Sequence, residues 1–289
     1  MPTIRRLAMG ELMSGTRSQT QAAMAPSSPE TGKSLLARLI EEIRFFTKLA
    51  IVMLALLTFV WGHYKIPSES MQPTLEVGDH LYVSKFAYGY SRHSLPLGLH
   101  NLPLPDGKFL SRLPKRGDIV VFRNPNNGVV MIKRAIGLPG DEVQLLSGRL
   151  YINGALIPRE PRGDLMYRMN GTFRDVIGSS EYDEYLPGDD APHRIWERTD
   201  MSEVDNTSVY VVPQGHLFFM GDNRERSTDS RLSRTDMRGN PLRAKDFGPG
   251  FVPLDHVIGR ADILMFTLNR CDRSEGLRCP ERGRAPSRL

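Results

Sequence analysis

Cysteine is scarce in this sequence, which has only Cys271 and Cys279 among its 289 residues. Two cysteines cannot build a disulfide-dense scaffold or a zinc site made of cysteine alone. Long apolar runs are also few, and Leu49–Val60 is the one stretch of 12 residues that is almost wholly apolar and carries no charge. A single such run excludes a membrane protein with many spans. With 40% apolar and 25% charged residues, wholesale disorder is excluded as well.

Charge of one sign is not in large excess either. The chain has 38 Lys and Arg against 33 Asp and Glu, for a net charge of +5. Much of this excess lies at the two ends of the chain, and the remainder is dispersed. Nucleic-acid-binding proteins instead cluster their basic residues on one face. We therefore expect no nucleic-acid partner.

Glycine and proline are abundant, with 26 and 21 residues, and favour turns and short strands over long helices. Six runs rich in β-branched or aromatic residues are typical of strands, and most are bounded by Pro, Gly or Asn. None is followed by an amphipathic helix of about 12 residues, so a parallel βαβ architecture is not expected. The sequence predicts a mainly β fold with antiparallel sheets. The six runs are His80–Phe86, Asp118–Arg123, Val129–Ile136, Ser208–Val212, Leu217–Met220 and Val257–Phe266.

Composition divides the chain into six segments. A polar tail that we expect to be disordered precedes an amphipathic and apolar helix. A strand-rich body follows in two parts, separated by an inserted lobe that is acidic and irregular in sequence. A basic C-terminal tail ends the chain. In order, the segments are 1–33, 34–64, 65–158, 159–207, 208–268 and 269–289.

The helix predicted over residues 34–64 has three interpretations. The charge-free run argues against a buried core helix, and the large residues and proline that follow it argue against a cleavable signal sequence. The third interpretation is an uncleaved membrane anchor, in which Lys48 reaches the interface and Trp61, His63 and Tyr64 lie beyond the span. More cations precede the apolar run than follow it. This bias predicts one span, a cytoplasmic N-terminus and an exported body.

Two serines, Ser68 and Ser70, follow directly after this segment between Pro67 and Pro73. The prolines make the stretch rigid and non-helical. On composition alone, a polar turn between membrane and body is the simpler interpretation. A nucleophilic serine is the other, although the chain has no Gly-x-Ser-x-Gly elbow and is therefore no typical α/β-hydrolase.

A nucleophilic serine needs a base, and none of the seven histidines lies in a recognisable local signature. Lys133 lies within the apolar run Val129–Ile136. Full burial can lower the pKa of a lysine by about 3–5 units from its usual value near 10.4. A neutral amine could then accept the proton of a serine hydroxyl. The alternative, in which Lys133 points outward from an edge strand, is the commoner fate of a lysine.

The third cluster is a loop of residues 221–231, dense in Gly, Asp, Asn and Ser, after the run Leu217–Met220. Such loops are often purely structural. Asp222 and Asp229 could form ion pairs with Arg224 and Arg231 that hold the loop rigid. A short hydroxyl there could orient an amine without adding charge. No histidine or third acid stands at a suitable spacing, so we predict no metal site in this loop.

Together and in this order, the clusters resemble the bacterial type I signal peptidase (leader peptidase) family. The resemblance covers residues 45–266, and Phe251-Val-Pro and Gly259-Arg-Ala are its closing matches. The main motifs are Pro-Ser-x-Ser-Met-x-Pro-Thr-Leu at 67–75, Arg-Gly-Asp-Ile-Val-Val-Phe at 116–122, Ile-Lys-Arg-Ala-Ile-Gly-Leu-Pro-Gly-Asp at 132–141 and Gly-Asp-Asn-x-x-x-Ser-x-Asp-Ser-Arg at 221–231.

The resemblance implies a membrane-anchored serine endopeptidase that cleaves N-terminal signal peptides from exported preproteins on the outer face of the inner membrane. It implies a mainly β catalytic body with an apolar face toward the bilayer, and neither a cofactor nor a metal. The implied partners are membrane lipid and preproteins with small, Ala-x-Ala-like residues before the cut.

The resemblance also assigns roles by matching position. Ser70 would be the nucleophile that forms an acyl-enzyme, and Lys133 the general base. The hydroxyl of Ser68 and the backbone N–H of Ser70 would form the oxyanion hole.

Three residues of the 221–231 loop would support this pair. Ser227 would hold the Lys133 amine in line. Asp229 and Arg231 would brace the loop.

The sequence departs from the family pattern at several places. Residue 69 is Glu where the family usually has a small residue, and a carboxylate facing Lys133 would oppose loss of its proton, so we predict that Glu69 points to solvent. One span is visible where well-known relatives have two. The stretch 232–250 is longer than expected and is predicted to be a surface loop. The two cysteines lie in the tail, where a disulfide and two free thiols both remain open.

Two other functions remain open. A self-cleaving repressor-type protease shares the Ser/Lys chemistry, but it would carry a DNA-binding N-terminal domain in place of a membrane segment. An anchored, exported, strand-rich scaffold or binding module would need no catalysis. Replacing Ser70 with alanine separates this scaffold from a protease.

Overall fold

The computed structural model describes residues 34–95, 98–103, 105, 107–168, 176–189, 191–202, 204–232, 243, 247–268 and 286–289. The tail 1–33, both cysteines and most of the predicted loop 232–250 and basic tail lie outside these residues. The chain divides into two units, Met1–Thr47 and Lys48–Leu289. Every described strand lies in the second unit.

Helix α1, Leu35–Phe59, forms where the helical spacing of apolar residues predicts a helix. The Ser34 hydroxyl accepts the N–H of Ala37 at 3.2 Å and so satisfies one free donor of the first turn. Among the described residues, no helix combines the length and the apolar character that crossing a membrane requires. The transmembrane helix predicted within residues 34–64 is therefore not found.

Residues 61–64, predicted to end the anchor, form a strand instead. Strand β1, Trp61–Lys65, pairs antiparallel with β2, Asp79–Ser84, so that Trp61 lies opposite Ser84. The backbone N–H and C=O groups of residues 61–65 bond to strand β2 and not to a further turn of the helix. The helix consequently ends at Phe59.

The other strands confirm the predicted antiparallel β fold. They are β3 Ile119–Arg123, β4 Val130–Gly137, β5 Glu142–Leu146, β6 Arg149–Ile152, β7 Ala155–Leu156, β8 Arg159–Arg168, β9 Val176–Glu184, β10 His193–Glu197, β11 Tyr210–Val211, β12 His216–Met220, β13 Val252–Pro253, β14 Val257–Thr267 and β15 Ser287–Arg288. The largest sheet has the order β1-β2-β14-β3-β4-β12-β13, with β15 also paired to β14, and a four-stranded sheet has the order β11-β5-β6-β7.

The inserted lobe is regular, and the prediction of an irregular lobe is wrong. Strands β10, β9 and β8 form a three-stranded antiparallel sheet. Its charged side chains pair across the strands, as Arg162 does with Asp183 at 2.6 Å. These pairs replace the alternation of apolar and polar residues by which strands are usually recognised.

The buried core lies on both sides of the strands that carry the candidate site. Met71 and Leu75 are fully buried in one apolar cluster, together with residues of β2, β3 and β14. In a second cluster, Phe122 of β3 stacks on Phe219 of β12 with 4.4 Å between ring centroids. The segment after β1 and the centre of the large sheet are thereby held in place.

Candidate active site

Lys133 lies on β4, in the interior of the large sheet. Lys133 is paired with Val120 on the neighbouring strand β3, and β12 is the neighbour of β4 on its opposite edge. Only 3% of Lys133 is exposed, and Ala135 and Ile136 are fully buried. Lys133 is therefore inside the protein, and the alternative of an outward-pointing lysine on an edge strand is wrong.

Ser70 lies in the turn between β1 and β2, and its position follows from its neighbours. The buried side chains of Ile66, Met71 and Leu75 attach this turn to the core. The backbone N–H of Asn223 donates to the Ser70 carbonyl at 3.2 Å, which ties the turn to the 221–231 loop. Ser70 itself is 5% exposed.

The two residues meet directly. The Lys133 amine donates to Ser70 Oγ at 2.6 Å and to the carbonyl of Ile132 at 3.0 Å. Burial lowers the pKa of Lys133 to about 8, against the opposing attraction of Asp229 and Asp222. A substantial fraction of the amine is neutral near this pH and can accept a proton from the hydroxyl.

Both aspartates near the lysine are neutralised by arginines. The Asp222 carboxylate receives two bonds from Arg134, at 2.8 and 2.6 Å, and one from the Thr74 hydroxyl at 2.5 Å. Burial raises the pKa of Asp222, but the attraction of Arg134 and these bonds together hold it below its ordinary value. The carboxylate is therefore charged and paired.

Asp229 is held in the same way. The guanidinium of Arg231 donates to both of its oxygens at 2.9 Å, and the backbone N–H of Gly221 donates at 3.0 Å. Burial raises the pKa of Asp229, but the charge of Arg231 and the hydrogen bonds to the carboxylate together hold it below its ordinary value. The predicted ion pair of Asp229 and Arg231 is present. Arg224, predicted to pair within the loop, instead pairs with Glu184 of the lobe.

Ser227 lies beside this centre but makes no hydrogen bond with the Lys133 amine, whose bonds in the described structure go to Ser70 and Ile132. Ser227 is 8% exposed. A Cβ built on Gly221 would overlap Ser227 Oγ and the Ser70 carbonyl oxygen. Only glycine at residue 221 thus allows the loop and the serine turn to approach each other this closely.

Ser68 and Glu69 directly precede Ser70 in the same turn. Ser68 Oγ is 3.3 Å from Ser70 Oγ, and Ser68 is exposed. The side chain of Glu69 is only 10% exposed and lies 3.8 Å from Arg226 in an ion pair. The prediction that Glu69 points to solvent is therefore wrong, because the arginine offers its carboxylate a partner.

A cleft of about 490 Å³ opens next to the serines. Its walls come from the serine turn on one side and from the 221–231 loop and the segment after the lobe on the other. The lining residues include Ser68, Glu69, Val204, Arg226, Ser227 and Leu232. Ser68, whose Oγ is 3.3 Å from Ser70 Oγ, is the serine of the turn that lines this cleft.

Four contributors to the site were not singled out from the sequence. Arg134 and Thr74 bind Asp222, Gly221 permits the close approach, and Glu184 neutralises Arg224. A signal existed for Arg134, since it directly follows Lys133 within a buried strand and therefore needs a counterion. No local signal marks Glu184.

Neither residue of the pair belongs to a cluster with the composition of a metal site. Among the described residues, two groups of three could supply ligands to one ion. These are His93, Asp255 and His256, and Glu197, Asp205 and Glu225.

Comparisons with known proteins agree on one family. A family model described as "Signal peptidase, peptidase S26" matches residues 39–266. A signal peptidase I of Rickettsia typhi is 35% identical over 235 residues, which cover 78% of this chain and 80% of the relative. A signal peptidase I of Rickettsia akari is 36% identical over 224 residues, 74% of this chain and 75% of the relative.

A solved structure also matches. The crystal structure of a signal peptidase I from Enterococcus faecalis V583 has 27% sequence identity and a TM-score of 0.27. The match covers 52% of this chain and 97% of that chain.

Proposed function

The chain belongs to the signal peptidase family, peptidase S26, and we propose that it cleaves signal peptides from exported preproteins with Ser70 as nucleophile and Lys133 as general base. The observation that carries this proposal is the 2.6 Å contact between the Lys133 amine and Ser70 Oγ. Both side chains are buried, so little water is available to solvate the ammonium form of Lys133. Burial therefore favours the neutral amine, which can accept the proton of Ser70.

The reaction begins when neutral Lys133 accepts the proton of Ser70 and the serine oxygen attacks the carbonyl carbon of the scissile bond. The resulting ammonium gives its proton to the leaving amine, which leaves the acyl group on Ser70. Lys133, neutral again, then activates a water molecule that hydrolyses the acyl-enzyme. One base therefore serves both half-reactions.

The oxyanion of each tetrahedral intermediate needs donors. The backbone N–H of Ser70 and the hydroxyl of Ser68 are our candidates, supported by the 3.3 Å distance between the two serine Oγ atoms. One such donor typically lowers the barrier by about 2.7–4 kcal/mol. Ser68 stands on the exposed side, where a substrate carbonyl would arrive.

The 221–231 loop positions the lysine. Ser227 is buried against Gly221, which also lies under the Ser70 carbonyl. We propose that the Ser227 hydroxyl orients the Lys133 amine when bound substrate weakens the present hydrogen bond between Lys133 and Ser70. Asp229 and Arg231 hold this loop through their paired charges.

The cleft beside the serines is our candidate for the substrate groove. An extended substrate needs room for its backbone close to the turn Ser68–Ser70, so the side chains before the cut must be small. The ion pair of Glu69 and Arg226 connects the two walls and so narrows the cleft. This supports the Ala-x-Ala-like preference that the family resemblance implies.

The location that we propose is the inner membrane, with a cytoplasmic N-terminus and the catalytic body on the outer face. Apolar residues of α1, such as Leu49, Ile51 and Val52, are 51–61% exposed, and lipid would remove them from water. More cations precede the apolar run Leu49–Val60 than follow it.

The test is cleavage of a preprotein by the full chain and by Ser70→Ala. We expect no product from Ser70→Ala, while the matched control Ser208→Ala, which removes an exposed hydroxyl outside the cleft, retains the unaltered rate. Equal cleavage by Ser70→Ala would overturn the proposal in favour of the noncatalytic scaffold.

A further inference from the structure

Three acidic side chains converge where the lobe meets the 221–231 loop. Glu197 ends β10, Asp205 lies in the segment that follows it, and Glu225 lies in the turn Arg224–Arg226. One oxygen atom from each lies within 4.8 Å of the other two. Glu197 is 3% exposed and Asp205 is fully buried, so this is no ordinary solvated acidic patch.

Two of these carboxylates have unfilled hydrogen-bonding capacity. Glu197 Oε2 pairs with Arg159, and Asp205 Oδ2 accepts the backbone N–H of Ser202 at 2.6 Å. Glu197 Oε1 and Asp205 Oδ1 are buried without a partner among the described residues, and so is the hydroxyl oxygen of Ser202. A buried carboxylate oxygen without a partner is costly, which points to a ligand.

The third carboxylate keeps capacity as well. Glu225 accepts the backbone N–H of Arg198 at 2.9 Å and of Thr199 at 3.5 Å. Each of these oxygens retains a second lone pair. The cluster therefore offers at least three oxygens that could be directed at one ion.

The local charge is negative. Arg159 is shared between Glu197 and Asp200, and Arg224 is engaged by Glu184, so neither fully compensates the three acids.

We propose that Glu197, Asp205 and Glu225 bind a calcium ion that joins the lobe to the loop carrying Ser227. The donors are all oxygens, which suits a hard cation, and calcium bonds of 2.3–2.6 Å allow two ligands to lie as far apart as about 5 Å. Magnesium is a poorer fit because it requires near-octahedral geometry at about 2.0–2.1 Å.

The bound ion would act on the cleft through Glu225, which lines the same cleft as Ser227. It would fix the turn Arg224–Arg226 against β10 and so limit the movement of the loop. This inference concerns binding and stability, and it stands or falls separately from the proteolytic reaction.

The experiment is a calcium titration of the chelator-treated full chain by calorimetry, combined with thermal unfolding. We expect one saturable site with a Kd on the order of 10⁻⁴–10⁻³ M or tighter, and a Tm that rises with calcium more than with equal magnesium. Glu225→Gln and Asp205→Asn should weaken binding at least about tenfold, because an amide oxygen replaces a charged ligand. The control Asp183→Asn, a lobe carboxylate paired with Arg162, should bind as the unaltered chain does.

A second measurement detects the ion in the unaltered chain and needs no substitution of a carboxylate. Terbium luminescence sensitised by tryptophan should appear on binding and disappear when calcium is added. The chain has two tryptophans, and Trp196 is adjacent to Glu197, so the signal should fall in Trp196→Phe and persist in Trp61→Phe. No saturable calcium binding, or a signal that depends on Trp61, would overturn the proposal. The proposal would also be overturned if Glu197→Gln raised the Tm and calcium left the Tm unchanged. That result would show that the carboxylates share a proton and bind no ion.

Discussion

Lys133 would be a cation at neutral pH in water, and the structure places it where that charge is penalised. Burial is the largest contribution to its lowered pKa, and Asp229 and Asp222 oppose it. Arg231 neutralises the first of these acids and Arg134 the second. Without these partners, two carboxylates would hold the lysine protonated, and it could not act as a base.

Replacing Lys133 with arginine should abolish cleavage. Arginine preserves the positive charge but cannot lose its proton in a protein, so the base is missing. We expect a fall in kcat of at least about 10²–10⁴-fold, measured on a purified preprotein. Lys115→Arg, at an exposed lysine, provides the control. Comparable rates for the two variants would exclude a lysine base.

The pH dependence of kcat/KM should reflect the same group. Because only the neutral amine accepts a proton, activity should rise with pH and level off above about 8, the pKa to which burial lowers Lys133. Initial rates across this range would give the midpoint. A profile that is flat from about pH 6 to 9 contradicts the assignment.

Removing the charge of Arg231 should move that midpoint upward. In Arg231→Met, Asp229 would remain as an uncompensated anion near Lys133 and stabilise its ammonium form. The rise in kcat/KM should then shift to higher pH, while Arg162→Met, at an exposed lobe arginine, keeps the original midpoint. A loss of activity with no change in midpoint would indicate a structural role only.

At the level of elements, the site is assembled where three segments meet. Strand β4 supplies the lysine, the turn after β1 supplies the serines, and the loop after β12 covers both. The pairing of Met220 with Arg134 places this loop beside the lysine. At Gly221, the first residue of the loop, the loop and the serine turn approach each other so closely that a Cβ would overlap both Ser227 and the Ser70 carbonyl oxygen.

Gly221→Ala should therefore lower both the unfolding free energy and kcat, although it adds only one methyl group. Its Cβ would displace Ser227 or the Ser70 backbone, and overpacking of this kind costs about 1–3 kcal/mol of unfolding free energy. Misplacing reacting groups by about 1 Å can lower kcat about 10²-fold. Denaturant unfolding and preprotein cleavage would measure the two effects.

Gly178→Ala is the matched control for this prediction. Gly178 lies in β9 with nothing within 4 Å of an added Cβ. We expect its unfolding free energy to change by no more than about 0.5 kcal/mol and its cleavage rate to remain unaltered. Equal effects of the two substitutions would mean that the close approach at Gly221 is unimportant.

At the scale of the whole molecule, the lobe is joined to the 221–231 loop by a buried ion pair. Glu184 of β9 pairs with Arg224, and both are almost fully buried. Trp196 of β10 donates its backbone N–H to the Asp222 carbonyl at 2.9 Å. The lobe therefore helps to hold the 221–231 loop in position.

Glu184→Gln should destabilise the protein by about 3–5 kcal/mol, because it leaves the Arg224 guanidinium buried without its counterion. Burial raises the pKa of Glu184, but Arg224 and His193 lower it further, and the net shift is downward. The unaltered chain should therefore lose stability as pH falls below the ordinary carboxyl range near pH 4, whereas the variant should lose less. Glu160→Gln, at an exposed carboxylate of the same lobe, should match the unaltered chain at each pH in denaturant titrations.

Local patterns in the sequence were sufficient for the mainly β, antiparallel fold, and they predicted Ser70 and Lys133 as a dyad. β-branched runs bounded by turn residues indicated the strands, and motifs in a fixed order indicated Ser70 and Lys133. The regular structure of the lobe was missed because charged side chains pair across its strands. The orientation of Glu69 was predicted wrongly because its partner Arg226 lies far away in the chain. Both errors concern contacts made between distant segments.

The sequence by itself determined the residue types that chemistry requires and the periodicity of the strands, since both are properties of neighbouring residues. Tertiary structure alone decided that Lys133 is buried, that Arg134 and Arg231 neutralise the acids around it, and that Glu184 joins the lobe to the loop. Desolvation and charge pairing depend on what surrounds a group in space, and that surrounding exists only after the strands have packed.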